Sequence, residues 1–172
     1  WELQNYSIIR SYDLKTGKIK DITSRTKYFN PALSADGQSL FAVEYPIGGG
    51  SRVIQMDKNE GHITKRIPAP HGGQITEVAP IGDSLYALII TESGMGLYWT
   101  EISLNNGIWH NEIPDQYKYV QDLTVSGKNL CFTSDLDGLV NSYIYNPDLK
   151  LMRKLTNSRF GAKHPHIDNN SG

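Results

Sequence analysis

Short apolar runs recur along the chain at a nearly constant spacing. The runs at 40–43, 85–90 and 130–132 begin 45 residues apart, and each begins three positions after a glycine. The glycines that keep this spacing are Gly37, Gly82, Gly127 and Gly172. A second glycine series, Gly17, Gly61 and Gly107, follows at intervals of 44 and 46 residues. Regular spacing of this kind indicates an internal structural repeat.

The segments between the glycines are short, rich in Val, Ile, Leu, Thr and Tyr, and bounded by turn residues, which predicts strands. No segment repeats apolar residues at helical spacing over ten or more positions, so we predict no helix. The strands predicted for the three complete units are 31–34, 39–45, 52–57 and 63–68; 74–79, 84–91, 97–103 and 108–113; 121–125, 129–134, 140–145 and 151–155. Parts of two further units are predicted at 6–13, 18–22 and 165–168.

Four strands in every period of about 45 residues predict an all-β fold, the β-propeller, whose four-stranded sheets are called blades. A blade buries both of its faces only by packing against neighbours. The second strand of each unit is almost continuously apolar, so its side chains are predicted to fill the cores between blades. These side chains are Leu40, Leu85, Ala87, Leu130 and Phe132. The repeated glycines are predicted to form turns with positive φ.

Two segments carry a resemblance to a known family. The sequence NPALSADGQSLFAV, at 30–43, resembles the TolB-type repeat, in which a Pro-containing strand runs into an Asp-Gly turn and an apolar strand. The segment 131–167 looks like the rest of that repeat, with its SDLDG hairpin, its LTN ending and a proline that starts the next blade. The middle unit departs from the pattern, because Gly82-Asp83 replaces Asp-Gly. The resemblance implies a propeller fold with six or more blades in the whole ring.

The repeat divides the chain into one propeller domain, 1–172, with about four blades. The predicted parts are a partial blade at 1–29, blades at 30–73, 74–119 and 120–163, and the start of a further blade at 164–172. Because the chain opens at Trp1 and its end blades are unfinished, we expect a piece of a larger propeller. Bare apolar faces are predicted around Ile8 and Ile9 and around 130–132. We therefore expect self-association, or a partner segment that completes the ring.

Composition excludes several functions. The chain has 17 Lys and Arg against 18 Asp and Glu, which argues against binding to nucleic acid or to an anionic membrane. Its longest apolar run, 85–90, is too short to cross a bilayer. Cys131 is the single cysteine, so neither an internal disulfide nor a cysteine-based zinc site is expected, and its apolar neighbours predict a core residue.

The sequence has no Gly-x-Ser-x-Gly elbow, phosphate-binding loop, dinucleotide fingerprint or His-Glu-x-x-His motif, so no catalytic residue and no cofactor are predicted. The glycine-rich stretch 47–52 is predicted to be a hairpin tip. Asp135 and Asp137 in SDLDG are predicted to accept backbone N–H groups in a turn rather than to bind calcium. His164 and His166 flank Pro165 on one predicted strand and are candidate metal ligands, although no third ligand is identifiable.

The loops between successive blades and those after each second strand should share one face of the propeller. The residues proposed there as ligand-binding candidates are Arg25, Tyr28, His71, Tyr117, Arg159 and Phe160. Aromatic rings beside basic groups are suited to binding peptides, carboxylates or sugars. The alternative to ligand binding is that these rings pack between the blades.

We expect a non-catalytic module that binds a protein or another ligand. By resemblance alone, it would be TolB-like and periplasmic or extracellular in a bacterium. The alternatives are the substrate-access propeller of a larger peptidase and a metal-dependent lyase of the oligogalacturonate lyase type.

Overall fold

The computed structural model describes residues 6–70, 72–104 and 107–167, and within these ranges it contains strands and turns but no helix. The strands of the described residues are β1 (Arg10–Tyr12), β2 (Ile19–Asp21), β3 (Tyr28–Leu33), β4 (Ser39–Glu44), β5 (Arg52–Asp57), β6 (Ile63–Pro68), β7 (Gln74–Ile81), β8 (Ser84–Thr91), β9 (Gly94–Glu101), β10 (His110–Gln116), β11 (Val120–Ser126), β12 (Asn129–Ser134), β13 (Asn141–Asn146) and β14 (Leu151–Lys154). Across these ranges, no helix is long and apolar enough to span a membrane.

The strands form sheets in simple chain order. Strands β3–β6, β7–β10 and β11–β14 each make a four-stranded antiparallel sheet, and β1 pairs with β2 alone. The all-β propeller architecture is therefore confirmed, and the described residues contain three complete four-stranded blades, as predicted. The partial blade at the amino-terminal end has two strands, and the described sheets do not close a ring.

Three apolar cores lie between neighbouring sheets. One lies between the partial blade and the first blade around Met56, one between the first and second blades around Leu85, and one between the second and third around Leu130. The predicted burial of the second strands is confirmed, since Leu85, Ala87 and Leu130 have no exposed surface. The other two predicted core residues of these strands, Leu40 and Phe132, are also buried. Strands β4 and β8 are buried because a neighbouring sheet covers each of their faces, whereas β12 packs against the sheet of the second blade on one face.

The prediction of a bare apolar face at 130–132 is wrong, because all three side chains are buried. Leu130 and Phe132 belong to the core shared with the second blade, and the chain after β14 runs beside the third blade. Ser158 N–H donates to Asn141 Oδ1 at 2.9 Å, and Ala162 N–H donates to the Val140 carbonyl at 2.9 Å. At the other end the prediction is half right: Ile9 is buried, whereas Ile8 is 44% exposed. Cys131 is a core residue, and burial raises the pKa of its thiol.

Glycines with positive φ lie in the turns between first and second strands. Gly37, Gly82 and Gly127 have φ values of 64°, 57° and 60°, which confirms the prediction for the three described members of the series. A side chain with a Cβ atom adopts this left-handed backbone only with strain. The predicted last member, Gly172, lies outside the described residues.

Candidate functional site

The loops between blades and the loops after the second strands share one face of the structure, which we call the link face. In the first blade, Tyr45 N–H, after β4, donates to the Lys27 carbonyl, just before β3, at 3.1 Å. In the third blade, Tyr119 N–H, before β11, donates to Asp135 Oδ1, after β12, at 2.8 Å. The two kinds of loop are therefore tied together by hydrogen bonds, as the repeat predicts.

Several aromatic residues of the link face pack within the protein. Tyr28 is half-buried and packs against the core beside the partial blade. The rings of Phe29 and Tyr45 lie 5.6 Å apart, and Tyr45 Oη donates to the Ile75 carbonyl of the second blade at 3.1 Å. Lys163 Nζ lies 5.1 Å from the centre of the Tyr119 ring. Of the proposed ligand-binding candidates, Tyr28 therefore packs between the partial blade and the first blade.

Other residues of the same face are open to solvent. The Phe160 side chain is fully exposed, and Tyr117 is 83% exposed, with its hydroxyl donating to the Glu92 carbonyl at 2.7 Å. Arg25 and Arg159 are exposed, and neither forms an ion pair within the described ranges. These residues lie in three different links between blades. The remaining candidate, His71, lies outside the described residues.

The exposed charge of the link face is mainly basic. Besides the two arginines, Lys118 and Lys163 are exposed there. The acidic side chains of the face are mostly engaged by protein donors. Asp135 accepts the backbone bond described above, and Asp137 Oδ2 accepts from Lys154 Nζ at 2.6 Å. Asp135 therefore accepts a backbone N–H group, but from the link before β11 rather than from its own turn, and Asp137 accepts from a lysine side chain instead of from the backbone.

A second concave region, the inner wall, is formed by the first strands of the three blades and by residues 164–166. It encloses an open cavity of about 660 Å³. Each first strand carries a β-bulge at the same place, at Asn30, Thr76 and Asp122, which are spaced 46 residues apart. Asn30 and Asp122 adopt positive φ values of 51° and 60°. Bulges redirect side chains out of the regular pleat, and here they point them toward the next blade.

The bulges carry a row of hydrogen bonds from blade to blade, which we call the bulge belt. Asn30 Nδ2 donates to the Thr76 carbonyl at 2.7 Å. The Glu77 carboxylate accepts the backbone N–H groups of Asp122 at 3.2 Å and Leu123 at 2.6 Å. The Asp122 carboxylate in turn accepts the His164 backbone N–H at 3.2 Å. One side chain from each blade therefore holds the backbone of the blade that follows.

The carboxylates of the belt differ in their acidity. Burial raises the pKa of Glu77, because the two N–H bonds do not fully replace the lost hydration. Burial also opposes the ionisation of Asp122, but hydrogen bonds to its carboxylate and the neighbouring His164 ring outweigh it, so its pKa lies below the usual value. At neutral pH Asp122 is therefore an anion paired with protein donors.

The predicted metal ligands lie at the end of the belt. His164 Nδ1 is 2.9 Å from Asp122 Oδ1, and the His164 side chain is 78% exposed. His166 is exposed on the same wall of the cavity. The described residues contain no group of three His, Cys, Asp or Glu side chains arranged to hold a metal ion. Reasoning from sequence missed Glu77 and Asp122, although the 46-residue spacing of Asn30, Thr76 and Asp122 was a detectable signal.

Comparisons with known proteins place this geometry in context. No protein-family model matches the chain. Among curated proteins, the Pro-Pol polyprotein of feline foamy virus is 25% identical over 155 residues, which cover 83% of this chain but only 13% of the polyprotein. Among solved structures, a putative TolB from Agrobacterium tumefaciens superposes with a TM-score of 0.73 at 16% identity, over 92% of this chain and 58% of that one. TolB from Acinetobacter baumannii superposes with a TM-score of 0.67 at 20% identity, over 88% and 38%.

The chain has a TolB-like β-propeller fold. The TolB-like fold is shared with propellers of other proteins: a puromycin-hydrolyzing peptidase of Mycobacterium tuberculosis superposes with a TM-score of 0.63 at 14% identity, over 83% of this chain and 24% of that one. The chain thus spans between about a quarter and three-fifths of the length of these solved relatives. At such identities the likeness establishes the fold, and function must be argued from the chain's own surfaces.

Proposed function

We propose that this chain is a non-catalytic propeller module that binds a protein or peptide partner through its link face. The observation that carries the proposal is the contrast between aromatic residues on this one face. Tyr28, Phe29 and Tyr45 pack into the protein, whereas Phe160 is fully exposed. A large apolar side chain left in water next to an exposed arginine, Arg159, fits a binding surface, where aromatic and arginine side chains contribute most of the affinity.

The chemistry of the face favours an acidic partner. Arg25, Lys118, Arg159 and Lys163 are exposed, and most nearby carboxylates already accept hydrogen bonds from the protein. A partner segment that offers carboxylates to the arginines and an apolar side chain to Phe160 would match these groups. The TolB-like fold supports a bacterial envelope setting, so we also propose a periplasmic or extracellular location.

The experiment compares two double variants on opposite faces of the third blade. Arg159→Glu with Phe160→Ser alters the link face. The control, Lys128→Glu with Leu149→Ser, also replaces one basic and one apolar exposed residue, but at turns on the other side of the blade. Each protein is titrated with fluorescent peptide pools of acidic, neutral and basic composition. We expect the wild type and the turn variant to bind acidic pools, and the link-face variant to bind at least about tenfold more weakly. Equal binding by both variants would contradict the proposal.

A second candidate function is the substrate-access propeller of a larger peptidase. The likeness to the peptidase propeller and the 660 Å³ cavity on the inner wall support it. This function would place the important contacts on the inner wall rather than on the link face. Substitution of His166, which is exposed in the cavity, by Ala would then alter peptide capture, whereas the link-face variant would behave like the wild type.

A further inference from the structure

A cleft of about 320 Å³ lies between the first and second blades, on the side of the structure opposite the link face. It opens beside the turn at 34–39 of the first blade and the turn at 82–83 of the second. Both blades are complete four-stranded sheets, and each of them packs against a neighbouring sheet on either side. The cleft is therefore a feature of an interface between two whole blades.

A comparison of successive blades shows why the cleft is open. In the first blade, Phe41 of β4 pairs with Gln55 of β5, and 45 residues later Tyr86 of β8 pairs with Trp99 of β9. Trp99 packs against the core between the second and third blades, and its ring stacks on that of His110 at 4.6 Å. Gln55 stands at the corresponding place in the first blade and lines the cleft. A glutamine is smaller than a tryptophan, so it leaves this part of the interface open.

On the first-blade side of the cleft, Asp36 offers a free carboxylate oxygen. Its Oδ1 atom accepts from Ser34 Oγ at 2.5 Å and from the Gln38 N–H at 3.0 Å. These two bonds hold the pKa of the Asp36 carboxyl below its usual value, so this carboxyl is ionised at neutral pH. No donor from the described part of the chain contacts the other oxygen, Oδ2, which is left to accept from a ligand.

Two further acceptors line the same cleft. The backbone carbonyl of Asp83 accepts the Ile102 N–H at 2.8 Å, but its carboxylate makes no hydrogen bond or ion pair with any residue that the structure describes. Gln55 Nε2 donates to Ser39 Oγ at 3.0 Å, which leaves its Oε1 atom available. The groups that the cleft offers to a ligand are therefore mainly acceptors.

The charge of the cleft is negative. Its charged lining residues are Asp36 and Asp83, and no basic residue lines it. The nearest lysine of the first blade's outer strand, Lys65, donates its Nζ to the Ile102 carbonyl. Lys58 lies near the turn that follows Asp36 and attracts that carboxylate, but it is outside the lining of the cleft. A cationic ligand therefore enters without displacing a basic side chain.

The remaining wall of the cleft is apolar, because Phe41 and Ile102 line it. A matching ligand combines an apolar stem with a cation that carries several N–H donors, and an arginine side chain has this construction. We propose that the cleft binds an arginine side chain of a partner protein, with the guanidinium between Asp36 and Asp83 and the stem along Phe41 and Ile102. This site is separate from the basic link face, and its occupation does not depend on the proposed function.

The probe is a capped Gly-Gly-Arg-Gly-Gly peptide, titrated into ¹⁵N-labelled protein and followed by two-dimensional NMR. We expect saturable shift changes at the backbone amides of Asp83 and Ile102 and at the side-chain amide of Gln55, and weaker binding as salt increases. A peptide with citrulline in place of arginine keeps the shape but has no charge, and it should bind at least about fivefold more weakly. A lysine peptide keeps the charge but lacks the planar fork of donors, and it should also bind more weakly.

Two variants test the site from the side of the protein. Asp83→Lys places a lysine where the third blade carries Lys128, so the fold accommodates it, and binding should weaken at least about fivefold because an attractive charge becomes repulsive. Gln55→Trp copies Trp99 of the second blade and should abolish binding by filling the cleft. The matched control, Asp148→Lys, changes an exposed aspartate at a turn on the same side but outside the cleft, and should leave binding unchanged.

Absence of saturable shift changes in the wild type would overturn the proposal. Equal binding of the citrulline or lysine peptide, or an equal loss in Asp148→Lys, would overturn it as well. If an arginine of a second copy of this chain fills the cleft instead, the same amide shifts will depend on protein concentration without any peptide, which would contradict a separate partner. The link-face variant, Arg159→Glu with Phe160→Ser, should bind the arginine peptide like the wild type, so this test and that of the proposed function fail independently.

Discussion

Replacement of Glu77 by Ala tests whether the bulge belt holds the second and third blades together. The Glu77 carboxylate accepts two backbone N–H groups of the neighbouring blade, at 3.2 Å and 2.6 Å. Alanine leaves the N–H groups of Asp122 and Leu123 without this acceptor. Leu123 is buried, so water reaches its backbone poorly.

The expected cost follows from these two bonds. Each partly buried N–H group that loses its acceptor costs about 1–3 kcal/mol, less where water replaces the lost oxygen. The raised pKa of Glu77 shows that its ionised form carries a burial cost, and the alanine variant recovers that cost. We therefore expect a net loss of about 2 kcal/mol in the free energy of unfolding, near the middle of the range for one orphaned group.

The assay is urea unfolding followed by circular dichroism. With a slope of about 2 kcal/mol per molar urea, the expected loss lowers the midpoint by about 1 M. Glu92→Ala is the matched control, because Glu92 is an exposed glutamate whose carboxylate makes no hydrogen bond within the described ranges, and it should change stability by less than about 0.5 kcal/mol. A Glu77→Ala midpoint that coincides with that of Glu92→Ala would refute the structural role assigned to the belt.

Three other predictions concern the core, a turn and the tyrosines. Leu85→Ala should cost about 2–5 kcal/mol, because Leu85 is fully buried between two blades, whereas Leu14→Ala, at an 89% exposed position, should be nearly neutral in the same urea titration. Gly82→Val should cost about 1 kcal/mol or more by thermal melting, since φ is 57° and nothing near its Cβ position compensates for the strain; a neutral result would mean that the turn does not require glycine. Burial, assisted by a hydrogen-bonded carboxylate, raises the pKa of the Tyr98 and Tyr143 hydroxyls to about 12. The neutral hydroxyls therefore stabilise the fold fully below about pH 10, the usual pKa of tyrosine, and this stabilisation is lost as the pH rises through 12. Phenolate absorbance of these two rings at pH 10 would contradict the last prediction.

The regular hydrophobic pattern was enough to predict most of the fold. The strands at 52–57, 63–68, 84–91 and 129–134 were predicted to the residue. Turn residues stand at both ends of these segments, and in 84–91 and 129–134 the apolar side chains are also dense. Burial of each second strand followed from the same pattern, because a strand that is apolar on both faces needs a neighbouring sheet on each side.

The errors at strand boundaries have local physical causes. Strand β9 begins at Gly94, three residues before its predicted start. The predicted start came later because glycine residues in a sequence are typical of a turn. In the structure Gly94 and Gly96 lie within the strand, where a Cβ atom at Gly94 would come within 2.4 Å of the Gln116 carbonyl oxygen. Strand β10 extends past Pro114 to Gln116. Proline has no backbone N–H to donate to β9, but bulges interrupt the hydrogen-bond ladder between β10 and β9 at this point, so the strand continues without that bond.

The candidate site could be predicted only in part. The loops that form the link face were located correctly from the order of the strands, because alternate turns of an antiparallel sheet lie at the same end. Which aromatic ring packs and which remains exposed depends on neighbours distant in sequence, as the contact between Phe29 and Tyr45 shows. In the sequence Tyr28 and Phe160 look alike, each an aromatic residue beside a basic stretch, and only the packing separates them.

The bulge belt also bears on where a ligand would bind most readily. Glu77 and Asp122 use both carboxylate oxygens for protein donors, so a ligand that engages them must compete with bonds between blades. Breaking one such bond costs about 1–3 kcal/mol unless the ligand supplies an equivalent donor. On the link face, Phe160 and Arg159 offer surface without any comparable contact to displace. We therefore expect a partner to bind the link face more readily than the inner wall, even though the inner wall encloses the cavity of about 660 Å³.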